Sequence, residues 1–83
     1  MRLAKHVKFR EEKFGGVLFE TRSEKVYTLT PTAAAVVQEV AAGRPAGEIG
    51  PTLAGRYRSE DGAVEREVQA FLAELRDKGL VED

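Results

Sequence analysis

The sequence holds one imidazole, His6, and no cysteine. A catalytic base or a metal ligand needs convergent partners. His6 sits on a basic stretch near the N-terminus, with Lys5, Lys8 and Arg10 around it, and no second His or Cys exists to join it. Ser23 and Ser59 have no histidine near them in the pattern, so neither reads as an activated nucleophile. Carboxylates are plentiful, but most fall on the outward positions of predicted helices, where a solvated face is their ordinary role. Phe14-Gly15-Gly16 is too short for a phosphate loop and leads into a strand instead of a helix. These residues point away from catalysis. The expectation is a non-enzyme that acts by binding and carries no cofactor or metal of its own.

What positions a binding surface must then be read from the elements. Eighty-three residues suit one small domain, 1–83, with a single modest core. The lack of cysteine fits a reducing compartment. No apolar run approaches the ~20 residues of a membrane span, and no signal-peptide pattern is present. A cytoplasmic protein with no membrane partner is therefore expected.

The chain turns on residues 24–34. Val26-Tyr27-Thr28-Leu29 is a β-pattern, and helical periodicity begins directly after it. Thr30 reads as an N-cap and Pro31 as the first helical residue. Ahead of this joint, His6-Val7-Lys8-Phe9-Arg10 alternates like a half-buried strand. Gly16-Val17-Leu18-Phe19-Glu20 reads as a second strand, with Phe14-Gly15-Gly16 as a flexible corner before it. The strands are expected over about 6–10, 16–21 and 25–29. Short connections favour an antiparallel order one, two, three, which leaves the third strand at an edge. Residues 1–5 are expected to be loose and Glu82-Asp83 frayed.

Behind the joint the pattern is helical. The first helix is expected over about 31–42, with Ala33, Val36, Val37 and Val40 as its stripe and Gly43 as its stop. The second is expected over about 48–57, with Ile49, Leu53 and Tyr57 on one face and an N-cap near Gly47 or Gly50. Pro51 and Gly55 weaken it. The third is expected over about 61–78, with candidate caps in Ser59-Glu60-Asp61-Gly62. Val64, Val68, Phe71, Leu72 and Leu75 form its stripe. Gly79 and Leu80 fit a Schellman ending. This is an α+β fold: a three-stranded antiparallel sheet followed by three helices, winged helix-turn-helix-like.

Two binding functions follow from such a fold. A DNA-binding winged-helix transcriptional regulator would read the duplex with the third helix, and phosphate neutralisation would supply most of its affinity. The charge opposes that. Residues 1–30 carry seven basic and four acidic side chains, whereas 61–83 carry three basic and seven acidic. The proposed recognition helix would thus bring Glu65, Glu67, Glu74 and Asp77 to a polyanion. The alternative is a peptide clamp, in which an extended segment adds to the free edge of the third strand and fills a groove between that strand and the third helix.

The run Val26-Tyr27-Thr28-Leu29-Thr30-Pro31-Thr32-Ala33-Ala34-Ala35 resembles the signature of the PqqD-like peptide chaperones, also called RiPP recognition elements. Gly16 to Glu20 is similar to the family's second strand, and Gly43-Arg44-Pro45 to the turn after its first helix. Val64, Val68, Phe71-Leu72, Leu75 and Gly79-Leu80 follow its helical spacing. The likeness spans about Val7 to Val81. Thr30 stands where Asn or Ser is usual, and Val36-Val37 where an aromatic is common.

The resemblance implies binding of the leader of a ribosomally synthesised precursor peptide. The leader would be presented to a modifying enzyme of the radical SAM type, whose cofactor belongs to that enzyme. It implies a docking strand of Lys25, Val26, Tyr27, Thr28 and Leu29, and a helix wall drawn from Glu67, Ala70, Phe71 and Glu74. Helical angles put Glu67, Phe71 and Glu74 on one side of the core stripe and Glu65, Leu72 and Arg76 on the other, so either flank can line the groove. Nucleic acid is not an expected partner. A monomer or a swapped dimer is expected, since exposed edges invite exchange.

Overall fold

The joint at Thr30 fixes the layout. In a computed structural model describing residues 1–57 and 61–83, strand β4 (Lys25–Leu29) runs straight into helix α1 (Pro31–Ala41). Thr30 is extended (φ −67°, ψ 165°) and its Oγ1 accepts from the Ala33 amide at 3.2 Å. That satisfies one orphan donor of the first turn, and Pro31 at N1 has no amide hydrogen to lose.

β4 is the edge of a three-stranded antiparallel sheet with β2 (Val7–Glu12) and β3 (Gly15–Glu20), in the order β2-β3-β4. The register sets Phe9 opposite Leu18 and Leu18 opposite Tyr27, one row that faces the helices. Lys13 and Phe14 make a tight turn, and the glycine corner is locked instead of flexible. Gly15 is buried at φ 139°, and a Cβ there would collide with the Leu29 carbonyl oxygen and the backbone of Thr30 and Pro31. Gly16 lets α1 close on the sheet, because a Cβ would come within 2.8 Å of the Phe9 ring and 3.3 Å of Ala34 Cβ.

Helix α1 buries Ala34, Ala35, Val36, Val37 and Val40. Helix α2 spans Ala46–Ala54 and α3 spans Ala63–Asp77. Their core contributions are Ile49 and Leu53 from α2, and Val68, Leu72 and Leu75 from α3. Gly79 (φ 71°) ends α3 in a Schellman motif. Leu80 N–H donates to Leu75 O at 2.9 Å and the Leu80 side chain is buried.

Three further expectations are corrected. First, α2 begins at Ala46 after Pro45, with no side-chain cap, and ends at Ala54, so Gly47 and Gly50 lie inside it. The amides of Arg56 and Tyr57 both turn back onto the Leu53 carbonyl, at 3.0 and 2.9 Å. The first of these bonds tightens the final turn, and Tyr57 is exposed instead of on the core face. Secondly, α3 starts at Ala63 instead of about 61, with Gly62 (φ 68°), one of the four candidate caps, at its N-cap and no side-chain cap hydrogen bond. The candidate caps Ser59 and Glu60 lie outside the described residues. Thirdly, the termini are paired. Strands β1 (Arg2–Leu3) and β5 (Val81–Glu82) form a two-stranded antiparallel sheet. Ala4 N–H donates to Leu80 O at 3.0 Å, Arg2 meets Glu82 at 2.9 Å, and Ala4, Leu80 and Val81 are buried. Apolar burial beside the α3 exit outweighs the fraying entropy of the ends.

An ion-pair cluster braces α2. Arg44 precedes the helix, Arg56 follows it, and both reach the Glu39 carboxylate near the end of α1, Arg56 at 3.2 Å. The Arg44 hydrogen bond is the main force holding the Glu39 carboxyl below its usual 4.5, against the desolvation that would raise it. No helix among the described residues is long and apolar enough to cross a membrane.

Candidate functional site

As an edge strand, β4 points alternate backbone N–H and C=O groups away from β3, open to an added strand. Its side chains divide by face. Tyr27 is half-buried and Leu29 buried on the helix side, while Val26 and Thr28 are exposed on the opposite positions. Lys25 is exposed at the strand's start.

Beside this edge lie two adjoining depressions with Phe71 as their common wall. The first, about 180 Å³, lies between β4 and the C-terminal half of α3. It is lined by Leu18, Tyr27, Thr28 and Leu29 of the sheet, by Phe71, Glu74 and Leu75 of α3 with its C-cap Lys78, and by Leu80. The second, about 190 Å³, lies between the start of α1 (Thr30, Thr32, Ala33, Val36) and Glu67, Val68 and Phe71. Phe71 is half-buried and packs on the core, so it serves as core and as groove wall together.

The flank of α3 that faces β4 is therefore the one with Glu67, Phe71, Glu74 and Lys78. The other flank is taken. Leu72 is buried, and α2 crosses close to Glu65, where a Cβ on Gly50 would come within 3.3 Å of Glu65 Cα. Arg76 lies 3.5 Å from Asp83. Of the residues singled out from sequence, Tyr27, Thr28, Leu29, Phe71 and Glu74 meet around one depression, and Glu67 lines the next. Lys25, Val26 and Ala70 line neither.

Sequence reasoning passed over Lys78 and the first turn of α1. Lys78 stands four residues beyond Glu74 and seven beyond Phe71, a spacing that places it on the same face. Thr32 and Ala33 stand three and four residues beyond the end of β4, so closeness to that strand was the available signal. The rim thus carries Glu67 and Glu74 with one cation, Lys78, over an apolar floor of Leu18, Val36, Val68 and Leu75.

The polar residues considered for chemistry are occupied elsewhere. His6 Nε2 lies 2.9 Å from Arg22 Nη2, and the His6 carbonyl accepts from the Thr21 amide and hydroxyl at 2.8 and 3.0 Å. Ser23 Oγ donates to Glu20 at 2.6 Å, and that bond is the largest influence holding the Glu20 carboxyl low. Ser59 lies outside the described residues. Among the described residues no three His, Asp or Glu side chains converge as a metal site would require.

The fold is shared with solved proteins. A solved structure described as lasso peptide synthetase B1 complexed with the leader peptide is 27 % identical, with a TM-score of 0.83 over 99 % of this chain and 96 % of that one. A second, TbiB1 in complex with the TbiA(beta) leader peptide, has a TM-score of 0.87 over 99 % and 95 % at 22 % identity, a likeness of fold. No curated protein matches the sequence. Residues 15–81 match the family described as Coenzyme PQQ synthesis protein D. That span runs from the glycine under the joint to the strand after α3, and on it the chain belongs to the PqqD family.

Proposed function

We propose that the chain is a non-catalytic peptide chaperone. It binds the leader of a ribosomally synthesised precursor peptide as an added strand on β4 and presents it to a modifying enzyme. The observation that carries this reading is the free edge of β4 opening onto depressions walled by Phe71. Backbone hydrogen bonds to the edge would supply about 1 kcal/mol each, and the depressions would select side chains. The leader complex of the 27 % identical lasso peptide synthetase B1 supports the ligand class. The docking residues are Lys25 to Leu29 through their backbone, with Glu67, Phe71 and Glu74 as the facing wall and Ala70 exposed beside it, outside both depressions.

The acidic rim favours a leader with basic or amide side chains. It also disfavours DNA, since α3 presents Glu67, Glu74 and Asp77 as exposed residues. The recipient enzyme is of the radical SAM type on the family resemblance. Likeness to a lasso peptide synthetase component adds the other parts of such a synthetase as a second class. The setting is the cytoplasm, where precursor peptides are made.

The test is an NMR titration of the labelled chain with synthetic leader peptides of ribosomally made precursors. Shifts clustered on Lys25 to Leu29 and on the Glu67–Lys78 flank are expected. Salt-dependent shifts with duplex DNA, and none with the peptide, would overturn the reading. Thr28→Pro, checked for folding by circular dichroism, removes a backbone donor and blocks the edge. It is expected to cost roughly tenfold or more in leader affinity. Unchanged affinity in the folded variant would rule out strand addition.

A further inference from the structure

Hydrogen-bond phase decides which residues an edge strand can offer. The Thr21 amide donates to the His6 carbonyl at 2.8 Å, and these two residues stand opposite each other, one step beyond Val7 and Glu20 in the register. Bonded and unbonded pairs alternate along an antiparallel ladder, and the N–H and C=O of one residue point to the same side. Phe19 and Val17 therefore bond to β2, while Leu18 and Gly16 bond to Tyr27 and Leu29 of β4. The Leu29 carbonyl agrees with this phase, because it points at β3, where a Cβ on Gly15 would strike it.

The free edge of β4 is then the N–H and C=O of Val26 and Thr28. Its flanks are occupied. The Glu24 amide donates to the Glu20 carbonyl at 2.8 Å, the Thr30 carbonyl accepts from the Ala34 amide at 2.8 Å, and Pro31 has no N–H. Val26 and Thr28 carry exposed side chains on the outer face, whereas Tyr27 and Leu29 bond their backbone to β3 and turn their side chains to the groove. An added strand inherits this alternation. A residue opposite Val26 or Thr28 is held through its backbone. A residue opposite Tyr27 or Leu29 points its N–H away from β4 and its side chain into the groove.

The groove has two places for such side chains. One depression lies beside Tyr27 and Leu29 over Leu18 and Leu75, the other beyond Leu29 over Val36 and Val68, and Phe71 divides them. Along α3 their centres, midway between Phe71 and Lys78 and between Glu67 and Phe71, are ~8 Å apart. Strand residues two apart are separated by ~6.7 Å and those four apart by ~13 Å, so alternate residues fit. We propose that the chain selects leaders by a two-residue repeat. In a leader antiparallel to β4, apolar side chains at i and i+2, opposite Leu29 and Tyr27, enter the two depressions. Residues i+1 and i+3 pair by backbone with Thr28 and Val26 and must carry an N–H. Proline is thus admitted at i and i+2 and refused at i+1 and i+3. The proposal rests on the leader-binding reading for its ligand.

Amide hydrogen exchange in the uncomplexed chain tests the phase by itself. The amides of Tyr27 and Leu29 are expected to exchange roughly tenfold or more slowly than those of Val26 and Thr28. The reverse order would overturn the proposal. The second arm takes the synthetic leader peptide that gives the strongest NMR shifts and remakes it with single backbone N-methyl groups and, separately, single alanines. N-methylation is expected to weaken binding roughly tenfold or more at two residues two apart, and by no more than about threefold at the residue between them. Alanine is expected to do the opposite, costing most at that middle residue and at the one two places before it. Both scans striking the same residues, or an N-methyl scan without alternation, would overturn the selection rule while leader binding stands. If no leader peptide binds and none protects the Val26 and Thr28 amides, the leader-binding reading falls and the rule falls with it.

Discussion

Helices α1 and α2 begin in opposite ways. At the start of α1, Thr30 caps with its side chain, Pro31 sits where no donor is needed, and Gly15 is pressed under the backbone of the joint. At the start of α2, Pro45 stands at the N-cap with no side-chain hydrogen bond, and Gly50 and Pro51 lie within the helix. Local chemistry suffices for α1. Helix α2 is held by its surroundings: Ile49 and Leu53 have no exposed surface, Gly50 lets α3 approach at Glu65, and Arg44 and Arg56 reach Glu39 from either end. The difference also divides function from scaffold. The α1 joint borders the proposed groove, and α2 packs against the flank of α3 that faces away from it.

The contrast can be broken most strongly at Gly15. Gly15→Ala strains a positive φ and drives a Cβ into the Leu29–Pro31 backbone, so a loss of about 2–4 kcal/mol is expected in urea melts. Leader affinity should fall with it. Stability within 0.5 kcal/mol of the parent, by the usual ~0.5 kcal/mol surface margin, would mean the joint is not locked by close packing.

Thr30→Ala removes one cap and should cost about 1 kcal/mol. Its distinguishing sign is a weaker leader affinity at temperatures where the variant remains folded, because Thr30 lines the second depression. Pro51→Ala should act in the other direction. It restores a backbone donor inside α2, partly offset by a more flexible unfolded chain, for a gain of about 1 kcal/mol. Leader affinity should not change, and a change would show that α2 communicates with the groove.

The mildest effect is expected from acid. The folded pKa of Glu39 is depressed, so its contribution is present above the ordinary value of 4.5 and is lost as pH falls through the lower folded value. Melts taken on both sides of that window should show Glu39→Gln losing less stability on acidification than the parent. Equal losses would assign the acid sensitivity to other carboxylates.

Much of the fold was legible because its signals are local. A hydroxyl three residues ahead of an amide, a proline at N1 and a change of period mark the α1 joint within a few residues. The Schellman ending at Gly79-Leu80 was legible for the same reason. What was missed depends on distant contacts. Two-residue strands at the termini are stable only because Arg2 and Leu3 meet Glu82 and Val81. The true start of α2 depends on α3 accepting Gly50 at close range. The groove was half legible: β4 as an edge follows from connection lengths, but helix periodicity treats the two flanks of α3 alike. Only the position of α2 separates Glu67 and Glu74 from Glu65 and Arg76.

The pairing of the two ends has a practical meaning. Because Arg2 lies opposite Glu82, the backbone from β1 to β5 is nearly a closed ring that a short linker could complete. New ends could then be opened at the exposed Thr21–Glu24 turn, yielding a circular permutant with the same groove.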